Sequence, residues 1–478
     1  MKGNKAIILD LDFENNKYKF PNTISNALVE ANDELYNLED QLNETLETVK
    51  SLTPNCDKYD YILSACSGAL CGIIDVFLVG KPGESPLGNI TDEWFVNRTK
   101  DFAKICGYKG DNDSLSSAIN YLEKKFKVPY DQSVGGGTFK ELINLTPSNH
   151  HFKSLAHNPT ILGLFLSILN QFTNTSNFVA NGELISLTNS DGSFELKGYN
   201  IPAKFFCGIA NWIGHLISDI SGSSGSKGRG MGIPSPLLAW SNDVIAINRK
   251  LNIPVSEFNK STNELALRLF EKGYDVRFQA TQVIPIFVNE MVVRFLYSIR
   301  RLIKYYSTTA KFNRSFPMLW KSCEPFSNAT VKRMLTIAHG TFCLIDMSDA
   351  IINGFETGGG YFNVVAFFMR FNMVDVGRFT ISLYGEAKRK IQKVHANNNA
   401  VFISRNKIIV DDYIEGLKTL ADIYDDKSLL NFVNDFQNSN LYINGFNKTI
   451  ELAKRRNVSE DKMMTSKTDI DLYFQGGH

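Results

Sequence analysis

The chain has no C-x-x-C pair, no excess of charge of either sign, no repeat of fixed period and no P-loop. Its seven cysteines (56, 66, 71, 106, 207, 323, 343) are odd in number, and several lie in apolar runs. That argues against a disulfide scaffold and fits buried thiols in a reducing cytoplasm. A formal net charge of +1 removes any whole-chain attraction to nucleic acid or acidic membranes. The basic helix end Arg300, Arg301 and Lys304 lacks the stacking aromatics of a single-strand binder and reads as a solvated C-terminus, so there is no specific nucleic-acid signal. No low-complexity tract occurs. No secretory signal opens the chain either: residues 5–20 read as a polar-tipped hairpin. Runs near membrane-span length, such as Tyr61 to Gly80, each hold an acid, a base or several small polar residues. At a mean hydropathy of −0.15 they read first as buried core helices of a cytoplasmic protein, and second as a membrane-associated form.

With 478 residues, 43% hydrophobic and 21% charged, the chain can build a sizeable core. The expected fold is mainly α: a multi-helix bundle with a small β-hairpin insertion, and an N-terminal hairpin plus a long helix. Leu28, Ala31, Leu35, Leu38, Leu42, Thr45, Val49 and Leu52 follow a 3-4 spacing, a heptad seam that either packs within the chain or pairs two copies through residues 28–52. Further helices are expected over 60–80, 93–128, Pro147–His157, 281–304 and 332–353, with two or three amphipathic ones in 411–456. VGGGT at 134–138 and ETGGG at 356–360 mark breaks, and residues 180–199 alternate as a hairpin around Asp191-Gly192. Domains are expected at 1–58, 59–240 (with the insertion 180–199) and 241–470. The end, LYFQGGH at 472–478, resembles a protease-site and tag remnant.

The chemistry concentrates in Phe205 to Pro236. On a helix over 203–220, steps of about 100° put Gly208, Asn211, His215, Ser218 and Asp219 on one stripe and apolar side chains opposite. Apart from Lys204 and Asp219 the helix is uncharged, so the polar stripe suits an internal cavity better than a wet face. His215 and Asp219 sit one turn apart and can share a metal ion. The loop beyond, SGSSGSKGRGMG, offers Ser223, Ser224, Lys227 and Arg229 to an anion, although a plain flexible connector reads equally well. SNHHFKSLAHNP at 148–159 adds His150, His151 and His157. On an unbroken helix His150 and His157 would stand about 10 Å apart along the axis, so His151 and His157 converge only if the backbone bends before Pro159. Asp75 is the one charge between Asp60 and Lys81; its readings are a metal ligand or an ion pair with an arginine. Asp10-Leu-Asp12 lacks the residues that would make it a phosphatase nucleophile motif. His339, Asp346 and Asp349 read as a buried polar network, and Glu290 with Arg294 as an i,i+4 pair.

An apolar helix ending in Asp75, a His-rich segment leading into another apolar helix, and Gly-His-Leu-Ile-Ser-Asp followed by Ser/Gly and Pro together resemble the YdjM-like family of LexA-regulated, membrane-bound, metal-dependent hydrolases. The resemblance covers about a third of the chain. It implies metal chemistry at Asp75, His157, His215 and Asp219. Two departures stand out: His151 precedes His157 by six residues where the family has five, and Ile73-Ile74-Asp75 replaces its Pro-Asp-x-Asp.

The sequence therefore predicts a divalent-metal hydrolase, with zinc the expected ion, acting on a phosphoester or related ester. His151, His157, His215 and Asp219 would be catalytic, with Asp75 near the metal. Asn211, Ser223, Ser224, Lys227 and Arg229 would hold an anionic small-molecule or lipid-like substrate. The alternative is a non-enzymatic scaffold or interaction protein of a bacterial mobile-element or phage-defence system, resting on the heptad seam and AT-rich codon-type composition.

Overall fold

The computed structural model describes residues 20–110, 114–126, 145–146, 149–188, 196–224, 230–310, 315–425 and 442–474. Their regular structure is helical apart from one two-stranded sheet, so the mainly-α expectation with a small hairpin holds. In chain order the elements are α1 (Phe20–Leu52), α2 (Lys58–Ile74, prolonged by a π turn over Asp75–Val79), α3 (Pro86–Ile105), α4 (Leu115–Lys125), the one-turn α5 (His150–Lys153), α6 (Ile161–Thr173), β1 (Thr175–Ala180), β2 (Glu183–Thr188) and α7 (Ile201–Ile220). There follow α8 (Pro236–Lys250), α9 (Glu257–Glu271), α10 (Val276–Thr308), α11 (Phe316–Cys323), α12 (Ala329–Glu356), α13 (Val364–Arg370), α14 (Met373–Asp425), α15 (Tyr442–Arg455) and α16 (Lys467–Phe474). Most starts are written in the sequence. The side chains of Asp57, Ser85, Thr160, Asn200, Ser235, Ser256, Asp275 and Asn328 each accept a first-turn backbone N–H. Proline opens α3, α7 and α8, where its missing N–H costs nothing.

Several expected elements change. The helix over 93–128 is two, because the chain leaves α3 at Gly107 with φ 100° and the next described helix starts at Leu115. The helix expected over 147–157 shrinks to α5 and a 3₁₀ turn, Leu155–His157. The hairpin lies earlier than expected: β1 and β2 pair antiparallel from Thr175↔Thr188 to Ala180↔Glu183, and the turn is Asn181-Gly182. Both turn residues have positive φ (54° and 77°), which Asn-Gly tolerates better than any other pair. The N-terminal hairpin, the VGGGT break and the Asp191-Gly192 turn lie outside the described residues.

The chain divides into two compact units. One comprises Met1–Thr53 and Lys390–His478. In it every member of the expected α1 seam is buried or half-buried while nearly all residues between them are exposed, and Glu39 pairs with Lys407 of α14 at 3.5 Å. On α14, Ala400, Ile403, Ile414 and Leu417 are buried at the same alternating spacing. The other unit is Pro54–Arg389. No boundary falls at residue 240, where the sequence suggested one, because α2 packs along α12 and α10, far downstream of it.

That second unit contains an apolar bundle. Gly68 and Gly72, four apart on α2, let its backbone lie against α12: a Cβ at Gly68 would come within 2.1 Å of the Ala338 carbonyl oxygen, and one at Gly72 within 3.0 Å of Ile345. The two helices run parallel, with Asn55 bonded to Thr330 at their starts. α10 runs the other way, its Arg300 and Arg301 returning to Asp57 and Asp60 at the head of α2 (2.7 and 2.8 Å). These arginines are thus ion-paired where the sequence suggested a solvated end. The Arg300 guanidinium holds the Asp57 carboxyl down at about 2. Lys58–Val79, Val276–Thr308 and Ala329–Glu356 are each long and apolar enough to cross a membrane.

Candidate metal centre

The segment 149–158 leaves the helix at Ser154, which is extended, and Asn158 is extended before Pro159, a position where proline disfavours the helical conformation; the resulting bend aims its imidazoles inward. The bend is pinned from three sides. Ser154 bridges to Phe178 of β1, the Asn242 side chain donates to the Phe152 carbonyl (2.6 Å), and the Trp212 indole donates to the Asn158 carbonyl (3.1 Å). α7 presents its polar stripe to this bend because it lies against α6 at a glycine: a Cβ on Gly208 would sit 2.6 Å from the Ile168 Cα. Ser167 donates to the Gly208 carbonyl at the same crossing (3.0 Å).

The outcome is a cluster holding four of the chain's seven histidines. Ring centroids lie 3.7 Å apart for His150 and His151, 5.3 Å for His151 and His157, 5.6 Å for His151 and His215, and 4.2 Å for His157 and His215. The Asp219 carboxylate reaches both sides, with Oδ2 3.3 Å from His215 Nε2 and Oδ1 3.7 Å from His151 Nε2. His151, His157, His215 and Asp219 are all buried, with His150 at the rim. Two overlapping donor sets result: His150, His151 and His157, and His151, His215 and Asp219, each with ligand atoms within 4.8 Å of one another. Donors on one tetrahedral ion stand about 3.3–3.5 Å apart. Imidazoles with one carboxylate form a donor set that could hold a divalent metal ion. The Ser218 hydroxyl lies 3.3 Å from Asp219 Oδ2 and supports it from behind.

The remaining candidates separate. Asn211 is buried on the same stripe, but its amide donates to the Leu196 carbonyl (3.1 Å) and braces the chain entering α7. The Asp219 carbonyl accepts from Gly222 and Gly232 (3.0 and 3.1 Å), so the Ser/Gly loop is tied to the centre at both ends. Ser224 is buried and its backbone N–H bonds the Asp275 carboxylate. Ser223 lines a polar cavity beside Asp92, Asp275 and Arg277. Burial pushes the carboxyls of Asp92 and Asp275 up, against the pull of Arg277. Lys227 and Arg229 lie outside the described residues, as do Asp10 and Asp12.

Asp75 is not among the histidines. It is buried at the far end of α2, where the Asn372 amide donates to its Oδ1 (2.7 Å). The same asparagine's backbone bonds Asp346 (2.9 Å), and Asp375 on the next turn holds His339 Nδ1 (2.7 Å). The polar network expected around His339 and Asp346 is therefore present, with Asp75 inside it. Asp349 pairs instead with Arg370 (3.5 Å), and the Glu290–Arg294 pair is formed at 3.1 Å. Asn372 and Asp375, which organise this network, carry no sequence signal; they lie almost 300 residues from Asp75. His150, in contrast, was signalled by its neighbour His151. All seven cysteines are free. Comparison with known proteins supplies no relative: no protein-family profile, no curated protein and no solved structure matches the chain.

Proposed function

We propose that the chain is a membrane-embedded, divalent-metal-dependent hydrolase acting on a phosphoester or related ester. The observation that carries this reading is the buried convergence of His151 and His215 on Asp219, with the His157 ring against both imidazoles. Gathering three imidazoles and a carboxylate out of water is costly, and a bound cation would offset that cost. The order of these residues is also the one through which the chain resembles the YdjM-like hydrolases. A zinc ion bound there would supply a water of lowered pKa and a Lewis acid for the scissile ester. His151, His157, His215 and Asp219 would hold it. Asp219 would orient two of the imidazoles, and the bend before Pro159 would keep bulk water out. Ser223, which lines the adjoining cavity, would face the anionic part of a small or lipid-like substrate.

Membrane insertion is supported by what the bundle leaves outside. Ile62, Leu70, Ile73 and Phe77 on α2, Phe287, Met291 and Phe295 on α10, and Leu344, Ile352 and Phe355 on α12 are all exposed. Such exposed apolar side chains on three span-length helices suit a hydrocarbon surrounding. Small residues at the α2–α12 contact and an ion-paired, Tyr59- and Tyr297-flanked end complete the pattern. The scaffold alternative drew on the α1 seam. That seam is already half-buried within a single chain, so pairing copies through residues 28–52 would first have to open it.

Elemental analysis of tag-free protein tests the metal. About one equivalent of a divalent ion is expected, with hydrolysis of bis(p-nitrophenyl) phosphate lost on chelation and in His215→Ala. Metal-free protein whose stability is indifferent to His215→Ala removes the proposal.

A further inference from the structure

Beside the metal centre lies a cavity of about 420 Å³, within the size range of small-molecule sites. Its walls carry both signs of charge: Lys272 and Arg277 against Asp92 and Asp275. Arg277 is nine-tenths buried; its Nη1 bonds Asp92 (3.0 Å) and the Ser221 carbonyl (3.3 Å), while its Nε–H has no acceptor among the described residues. Ser221 is two residues beyond Asp219, so this guanidinium stands on the turn that leaves the metal centre, within about 7 Å of chain. The cavity's level is also set. Pro82 and Gly83 in its wall follow the end of α2 at Val79, and Asp275 and Arg277 begin α10. Two of the three apolar helices therefore terminate at its rim, where a bilayer's hydrocarbon gives way to headgroups.

We propose that this cavity binds a zwitterionic phospho-amine group, its phosphate on Lys272 and Arg277 and its ammonium on Asp92, and so selects the substrate of the metal centre. The inference rests on the membrane and hydrolase reading and narrows its substrate. A plain anion would meet Asp92 and Asp275 as well as the two cations, and a plain cation would meet Lys272 and Arg277. A ligand bearing both charges satisfies all four. The loop carrying Ser223 links the two places, because the Asp219 carbonyl anchors Gly222.

Binding can be read without turnover. Full-length protein in nanodiscs of phosphatidylglycerol is titrated calorimetrically with phosphoethanolamine, inorganic phosphate and ethanolamine. Phosphoethanolamine is expected to bind about tenfold more tightly than either fragment, and to lose about tenfold in Lys272→Ala and Asp92→Asn, both exposed enough to fold normally. Arg277→Gln should lose more. His215→Ala should keep this binding while losing metal, which separates the cavity from the hydrolase reading: metal without binding sinks only the present inference. Phosphate bound as tightly as phosphoethanolamine, or binding indifferent to Lys272→Ala and Asp92→Asn, overturns it. Repeating the titration in phosphatidylethanolamine nanodiscs identifies the source: suppression marks a lipid headgroup as the occupant, and unchanged binding a free solute, each with the same zwitterion chemistry.

Discussion

His157 reaches His215 because the chain is extended at Ser154 and again at Asn158, the residue before Pro159, where proline disfavours the helical conformation. The same bend places Thr160 as the cap of α6, and its hydroxyl lies 3.3 Å from Asp243 on α8. Burial pushes the Asp243 carboxyl up to about 6, with the Thr160 hydrogen bond opposing. The folded pKa is above the unfolded value, so the proton on Asp243 favours the fold: its stabilisation is complete below about pH 4 and is lost as pH rises through about 6. Asp243→Asn keeps the shape and removes the titration. It is expected to stabilise the protein by about 2 kcal/mol at pH 7.5 and by nothing at pH 4. Urea unfolding at the two pH values measures this, and a pH-independent difference would exclude burial of this carboxyl as the cause. The metal-centre residues were legible one by one: His215 and Asp219 through their spacing on an almost uncharged helix, His151 and His157 through the break. Asp75 was legible as a lone buried charge, but not its partner. Asn372 comes to it only by the return of the chain at α13 and α14, and nothing local to either residue announces that.

Elements were readable where a local rule acts alone. The α1 seam and the α7 stripe follow from periodicity, and their burial matches it; the three long apolar helices were legible from length and composition, but as buried core, whereas more than half of each apolar stretch is not buried. The hairpin was placed too late because residues 183–198 alternate as well as 175–188 do, and alternation cannot choose its own turn; Asn181-Gly182 was the stronger signal. The small-residue face of α2 could likewise have been read from Gly68-Ala-Leu-Cys-Gly72, and it has a sharp consequence. Gly68→Ala puts a methyl 2.1 Å from a carbonyl oxygen of α12, so the helices must part. A loss of about 1–3 kcal/mol is expected in thermal melts. Gly377 on α14 is the contrast: a Cβ there meets nothing within 4 Å, so Gly377→Ala should stabilise by about 0.5–1 kcal/mol through helix propensity alone. If both alanines act alike, helix propensity and not close approach governs α2.

At the scale of the whole chain, three apolar helices that cross a bilayer, as proposed, would impose a topology on what lies between them. α2 and α12 run parallel and α10 opposes both, as three successive crossings must. The described residues between Gly80 and Asp275, which carry the candidate metal cluster and the charged cavity, would then lie on one side of the membrane, and those between Thr309 and Asn328 on the other. A soluble protein that merely buries the helices imposes no such separation. Single cysteines at the exposed positions Lys109 and Lys321, in a chain otherwise free of cysteine, distinguish the two cases. In sealed, uniformly oriented vesicles a membrane-impermeant maleimide is expected to label one position and spare the other until detergent is added. The reciprocal pattern is expected in inverted vesicles. Equal labelling of both positions before detergent would place the bundle outside the bilayer, and with it would go the headgroup level assigned to the cavity. The candidate metal cluster would be untouched by that result, since its donors are gathered by α5, α7 and the bend before Pro159.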